Sequence, residues 1–344
     1  MTNTDIIDVH AHCVPLQVFD RINAGDDSFG ITATPGPGGP RWAFDGGATT
    51  APIEPLLVDL DARVARMNAA GVAVQLLSGF IDIGAHQAVH AGSAYAQFFN
   101  DALAESISAH PTRFLGLGTL PLGDVHGCID ELRRMVLELG FAGVEVPARL
   151  VADQALEPLW AEAERLGAII LIHPEASTTS DLPYFIGNFV ANPAESTAAA
   201  AALILSGVLD RYPSLKVVLV HGGGFLPYQF GRIQHGFTQY GGRFGATTRT
   251  APRDQLRRLY YDTVVHDTSA LTYLLQTVGH DRVVVGTDDP FAMGDATPGN
   301  TVDGLIDLDE VQRAAIRHEN AATLLRSVQN DSVSRVVSGV GATS

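Results

Sequence analysis

Lysine is almost absent from these 344 residues. Of the 22 Lys and Arg side chains only Lys216 is a lysine, which leaves 21 arginines, and 38 acidic residues bring the formal charge to −16. No stretch gathers positive charge, which argues against nucleic acid and anionic membrane surfaces as partners. Cysteine is nearly as scarce: Cys13 and Cys128 cannot build a disulfide framework, and isolated thiols suit a reducing cytoplasm. No apolar run approaches the roughly 18 residues that cross a bilayer. The N-terminal MTNTDIIDVHAH lacks the basic and apolar regions of an export signal. The expectation is a cytoplasmic protein. Three nucleotide and hydrolase signatures are missing as well: Gly222 to Gly224 do not form a G-x-G-x-x-G fingerprint, and there is no G-x-S-x-G elbow or P-loop.

What is present is enough to build a large core. Apolar residues make up 46% and charged residues 17%, with a mean hydropathy of +0.13, which excludes a disordered chain. Short β-rich apolar runs alternate with amphipathic or Ala-rich stretches, the pattern of βαβ units on a parallel sheet. Candidate strands are Ile6–His10, Val72–Leu77, Phe114–Leu120, Gly143–Val146, Ala168–His173, Lys216–His221, Leu259–Thr263 and Arg282–Thr287. Eight such units are the number that closes into an α/β fold of the (β/α)8 TIM-barrel type, while an open doubly wound sheet can use the same units. One barrel domain over residues 1–326 is expected. Within it, residues 25–52, rich in Gly, Pro, Thr and Ala, read as a long loop after the first strand, either covering the active-site face or forming a surface insertion. Residues 327–344, rich in Ser, Val and Gly, read as a flexible tail.

Chemistry concentrates at the strand ends. His10 and His12 in IIDVHAH share one face of a strand by its period of two. AIILIHP ends in His173, KVVLVHGGG reaches His221, and RVVVGTDDPF reaches Asp288 and Asp289. In a parallel barrel the C-terminal strand ends share one rim, so these residues converge despite their separation in sequence. Imidazoles with a carboxylate suit zinc or another first-row divalent ion, with a position open to water or substrate. His266, after the seventh run, is a further residue that reaches toward the rim. The glycines after His221 let backbone approach the site closely. In a barrel Lys216, which begins its strand, lies on the opposite rim, so that fold excludes a lysine-bridged metal pair. Glu145 in GVEVPA either lines the pocket, pairs with an arginine, or bridges metals in place of a lysine.

In their order, DVHAH, LIHP, VHGGG, VGTDDPF and ENAATLL resemble the amidohydrolase superfamily, in its branch of 2-amino-3-carboxymuconate-6-semialdehyde decarboxylase and related metal-dependent decarboxylases. The resemblance spans about residues 6–326. It implies one divalent metal, zinc first and manganese second, on His10, His12, His173 and Asp288, with His221 as general acid/base beside it. It further implies that Arg232, in PYQFGRI, binds substrate carboxylate across a dimer interface, that Tyr184 flanks the substrate, and that the protein is a homodimer or higher homo-oligomer. The branch's second carboxylate-binding arginine has no counterpart in GGATTAPIEP, so Arg41 can replace it only if the loop folds back. The expected activity is mononuclear metal-dependent decarboxylation of an unsaturated or aromatic carboxylic acid. Hydrolysis or hydration of a ring-cleavage product by the same metal centre is the alternative, and a catalytically silent metal-stabilised scaffold is a third reading.

Overall fold

Runs such as IILIH, buried along their whole length, satisfy a strand packed on both faces, and such runs pair in parallel. The computed structural model describes residues 5–26, 28–175 and 183–340. Strand β1 (Ile6–His12) is followed by the short strands β2 (Ile31–Thr34) and β3 (Arg41–Phe44), and then by β4 (Val72–Ser78), β5 (Phe114–Gly118), β6 (Gly143–Pro147), β7 (Ile169–His173), β8 (Lys216–Leu219), β9 (Tyr260–Asp262) and β10 (Val283–Val284). All but β2 and β3 join one parallel sheet in the order β1-β4-β5-β6-β7-β8-β9-β10. Its two ends meet through parallel bridges, Asp8 with Val285 and Ala11 with Asp289, which bring the sheet round into a (β/α)8 barrel.

The longer helices pack outside: α1 (Leu16–Asn23), α2 (Leu60–Ala70), α3 (Gly92–Ser108), α4 (Val125–Leu137), α5 (Glu157–Leu166), α6 (Asn192–Leu205), α7 (Leu226–Tyr240), α8 (Thr268–Val278), α9 (Asn320–Arg326) and α10 (Asp331–Gly339). Local chemistry sets their ends. The Asp59 carboxylate accepts from the Ala62 N–H to start α2, and Gly71 ends it in the left-handed conformation at φ 74°. Asp124 and Asp267 start α4 and α8 in the same way.

Two stretches differ from the sequence expectation. The Gly/Pro-rich segment is not a plain loop: β2 and β3 pair antiparallel within it, and Trp42 on β3 is wholly buried, with its indole N–H 3.3 Å from Asn23 Oδ1 of α1. The aromatic anchor outweighs the turn-rich composition around it. The tail is helical over Asp331–Gly339. Asn330 caps that helix, and Val333, Val336 and Val337 line one buried stripe. Residues 341–344 lie outside the described residues. Among the described residues no helix is long and apolar enough to cross a membrane.

Candidate metal centre

Alternation along β1 turns Asp8, His10 and His12 to one side, and all three are completely buried. His173 closes β7 opposite Pro147 of β6. His221 lies just beyond the end of β8, and Asp288 lies in the turn after β10. Both hold positive φ, 55° and 57°, a conformation that non-glycine residues keep only where the surroundings enforce it. These side chains meet at the C-terminal rim. His10 Nε2 is 3.1 Å from His12 Nε2, and Asp288 Oδ1 is 3.4 and 3.1 Å from those two nitrogens. His221 Nε2 is 3.6 Å from Asp288 Oδ2. One ligand atom each from His10, His173, His221 and Asp288 lies within 4.8 Å of the others, and a second set joins His12, Glu145 and His173.

The outward nitrogens fix the inward ones. His10 Nδ1 faces Asp262 Oδ2 at 2.7 Å, and His12 Nδ1 faces Ser78 Oγ at 3.1 Å. His173 Nδ1 lies 2.8 Å from the Pro174 carbonyl, which can only accept, so its proton sits there and the Nε2 lone pair points inward. That Nε2 and Asp288 Oδ1 are buried and have no hydrogen-bond partner. Buried polar atoms are rarely left so, and backed imidazoles facing a shared void are the usual arrangement of metal ligands. Electrostatics agree. Burial pushes His12 down to about 4 and, with the neighbouring imidazoles, holds His173 well below its ordinary value. Burial works against charge on Asp288 too, but His10 and His12 outweigh it and hold the carboxylate well below its usual range. His10 is the exception: burial lowers it, yet Asp288 and Asp262 carry it up to about 9. Two neutral imidazoles and an ionised carboxylate are the protonation states that a divalent cation requires.

The family model for the amidohydrolases matches residues 7–327. The chain belongs to this family. Among curated amidohydrolase relatives it is 34% identical over 274 residues to 2-amino-3-carboxymuconate-6-semialdehyde decarboxylase of Dictyostelium discoideum, covering 78% of this chain and 76% of that one. It is 30% identical over 265 residues to the gamma-resorcylate decarboxylase of Rhizobium sp. (strain MTP-10005), covering 68% and 78%. Its fold matches the crystal structure of 5-carboxyvanillate decarboxylase from Sphingomonas paucimobilis, with a TM-score of 0.78, 24% identity and coverage of 94% and 99%. It also matches a dihydroxybenzoic acid decarboxylase from Polaromonas sp. JS666, solved with bound manganese and 2-nitroresorcinol, with a TM-score of 0.76, 23% identity and coverage of 95% and 98%.

Not every residue singled out in the sequence reaches the cluster. No hydrogen bond, ion pair or ring contact among the described residues joins Arg41, Arg232, Tyr184 or His266 to it. Arg41 stays on its hairpin, where its guanidinium donates to the Thr50 carbonyl at 3.0 Å. Arg232 on α7, Tyr184 and His266 are exposed. Asp289 turns away from Asp288 and pairs with Arg63 and Arg66. Glu145 does line the site, 3.3 Å from Ser78 Oγ and 3.8 Å from His12 Nδ1, and burial raises it well above the usual carboxylate value. Lys216 opens β8, at the far end of the strand from His221. The glycines after His221 are needed where they stand: a Cβ on Gly224, at φ 64°, would lie 2.0 Å from the Pro193 carbonyl oxygen. Sequence reasoning missed Asp262, Asp8, Ser78 and Arg63. Asp8 and Asp262 carried one usable signal, a charged residue inside an apolar strand. Phe291, with its ring centroid 5.4 Å from that of His12 and 5.7 Å from that of Phe80, forms an aromatic wall beside the histidines.

Proposed function

We propose that the protein is a mononuclear divalent-metal-dependent decarboxylase of an aromatic or unsaturated carboxylic acid. The observation that carries the reading is the inward-facing, unpartnered donor set of His173 Nε2 and Asp288 Oδ1 beside His10 and His12, in a chain whose relatives are named as decarboxylases. His10, His12, His173 and Asp288 would hold the ion, with zinc and manganese both compatible with imidazole and carboxylate ligands. A divalent ion there supplies Lewis acidity that neutralises charge on a substrate carboxylate or an adjacent oxygen.

The protein's own residues supply the rest. Phe80 and Phe291 offer an apolar wall for a planar substrate and keep water from its face. Loss of CO₂ breaks the bond between the carboxylate and its carbon and leaves the electron pair in the substrate's π system. A proton from His221 then uses that pair to form the new C–H bond. His221 fits this role because its Nδ1 is buried without a partner, its Nε2 lies beside Asp288, and its ring is the most exposed of the four. Arg232 is assigned to the substrate carboxylate of a neighbouring subunit, since it stands exposed on α7 one turn from the exposed Tyr228. Light scattering of the purified protein, with a dimer or larger assembly as the expected outcome, tests that assignment.

The activity itself is tested by incubating metal-loaded protein with 2,6-dihydroxybenzoate, 5-carboxyvanillate and an aminocarboxymuconate semialdehyde while measuring headspace CO₂. Release of CO₂ with loss of one substrate supports the reading. Turnover without CO₂ replaces it with hydrolysis or hydration at the same centre. Elemental analysis that finds no tightly bound divalent metal would remove the metal from the proposal.

A further inference from the structure

We infer that Arg63 is a positioning residue that sets the metal centre from beneath, by pinning the seam at which the barrel closes. The inference rests on the metal reading of the histidine cluster. Two of the proposed ligands, His10 and His12, stand on β1, and a third, Asp288, follows β10. Between those strands the bridges Asp8–Val285 and Ala11–Asp289 sit in a short run of backbone hydrogen bonds, from the Val9 N–H to the Val285 carbonyl at 2.9 Å, from the Thr287 and Asp288 N–H groups to the His10 carbonyl at 3.2 and 2.8 Å, and from the His12 N–H to the Asp289 carbonyl at 2.9 Å. Side chains reinforce that short ladder from beneath. Arg63 on α2 is wholly buried, and its guanidinium reaches both sides: Nη2 donates to the His12 carbonyl at 2.5 Å, Nη1 donates to the Asp289 carbonyl at 3.1 Å, and Nε lies 2.9 Å from Asp289 Oδ2. Arg66, one turn on, donates to both oxygens of the same carboxylate, at 3.3 and 3.1 Å.

Gln75 extends the network. Its Oε1 accepts from Arg63 Nη1 at 3.4 Å, and its Nε2 donates to Asp8 Oδ2 at 2.8 Å. Asp8 in turn accepts from the His10 N–H and the Thr287 N–H, both at 3.0 Å, and from Thr287 Oγ at 2.5 Å. Asp288 is therefore fixed on both flanks, through Thr287 by Asp8 and through Asp289 by Arg63 and Arg66. Its own φ of 57° is disfavoured for an aspartate, and strained backbone of this kind survives only where its neighbours over-determine it. A buried guanidinium is a costly way to fill a core. This one forks across the junction between ligand-bearing strands, a geometry that lysine cannot reproduce.

The test measures zinc affinity by chelator competition in wild type, Arg63→Met and Arg63→Lys, alongside circular dichroism of the metal-free proteins and the visible spectrum of their cobalt-loaded forms. Folded R63M is expected to bind zinc at least about tenfold more weakly, in the range typical of residues that orient metal ligands. Its cobalt spectrum should shift as the Asp288 contribution changes, and R63K should recover only part of the affinity. Folded R63M that binds zinc within about twofold of wild type and gives the wild-type cobalt spectrum overturns the inference. Should R63M fail to fold, Thr287→Val carries the test, because it removes the hydroxyl that donates to Asp8 Oδ2 and accepts from the Asp289 N–H while keeping the side chain's volume and the Thr287 N–H bond to Asp8. Weakened zinc binding in folded T287V supports the clamp, and unchanged binding overturns it. A wild-type chain that binds neither zinc, manganese nor cobalt defeats the metal reading itself, a result distinct from either outcome in the variants.

Discussion

His221 lies just past β8 and Asp262 closes β9, yet their contacts give them opposite tasks. Asp262 faces the back of His10, and its other oxygen accepts from the Gly222 and Val264 N–H groups at 2.8 and 3.1 Å, so it cannot swing toward a substrate. Its task is to orient an imidazole. Asp262→Asn should cost about 10- to 100-fold in metal affinity, read by chelator competition, while leaving the proton-transfer group in place. His221→Ala should lower turnover about 10²- to 10⁴-fold with metal content unchanged in elemental analysis. Loss of metal from H221A would move His221 into the ligand set instead. At this scale the sequence showed the donors and hid their supports. An H-x-H pair and histidines at the ends of apolar runs announce themselves by spacing, whereas Ser78 and Arg63 act through folded-state proximity and carry no local signal.

Among the elements, the apolar runs located every barrel strand because parallel strands buried on both faces must be apolar throughout. Their ends were less legible. The run RVVVGT suggests a six-residue strand, but only Val283–Val284 pair regularly before the chain bends into the turn that presents Asp288. The β2–β3 hairpin escaped for a different reason: ITAT and RWAF are four-residue strands set among Gly and Pro, and their stability comes from tertiary packing of Ile31, Trp42 and Phe44. Trp42→Ala should therefore cost about 3–5 kcal/mol in urea unfolding, as a truncated core aromatic does. The terminal helix escaped because Ser, Gly and Val are weak helix formers, and only the stripe of Val333, Val336 and Val337 gave it away.

A pH signature belongs to the elements too. Burial works against ionised Asp210, but hydrogen bonds from the Thr250 and Thr248 hydroxyls and the Arg249 and Thr250 N–H groups outweigh it and hold the carboxyl well below its ordinary value. The unfolded chain takes up a proton near pH 4 while the folded one resists, so this contribution is complete above about pH 4 and fades as the pH falls further. Asp210→Asn should lower Tm at pH 7 by about 2–4 °C, for a loss of about 1 kcal/mol. The gap between variant and wild type should narrow in melts run toward pH 2.

For the whole molecule, global and local charge part company. The chain carries −16, yet the donor set described here is built to receive a cation, and bound metal would add local positive charge where a carboxylate substrate is to be read. Metal removal consequently bears on stability as well as chemistry. At a free ion concentration about 1,000 times Kd, binding adds about 4 kcal/mol to the folded state, so a chelator should lower Tm by several degrees, measured by scanning calorimetry with and without added zinc.

The barrel seam carries a consequence for biosynthesis. The first strand and the turn after the last bring His10, His12 and Asp288 to His173 on β7, and the junction between those two strands is fastened by residues as far apart in the chain as Asp8 and Thr287. On a translating ribosome, where the N-terminal part of a chain can begin to fold first, β1 has no partner for this junction until the last barrel strand has emerged. On the proposed ligand set, His10 and His12 would wait through nearly the whole of synthesis, and capture of an ion would be a checkpoint on completed folding rather than a nucleus for it.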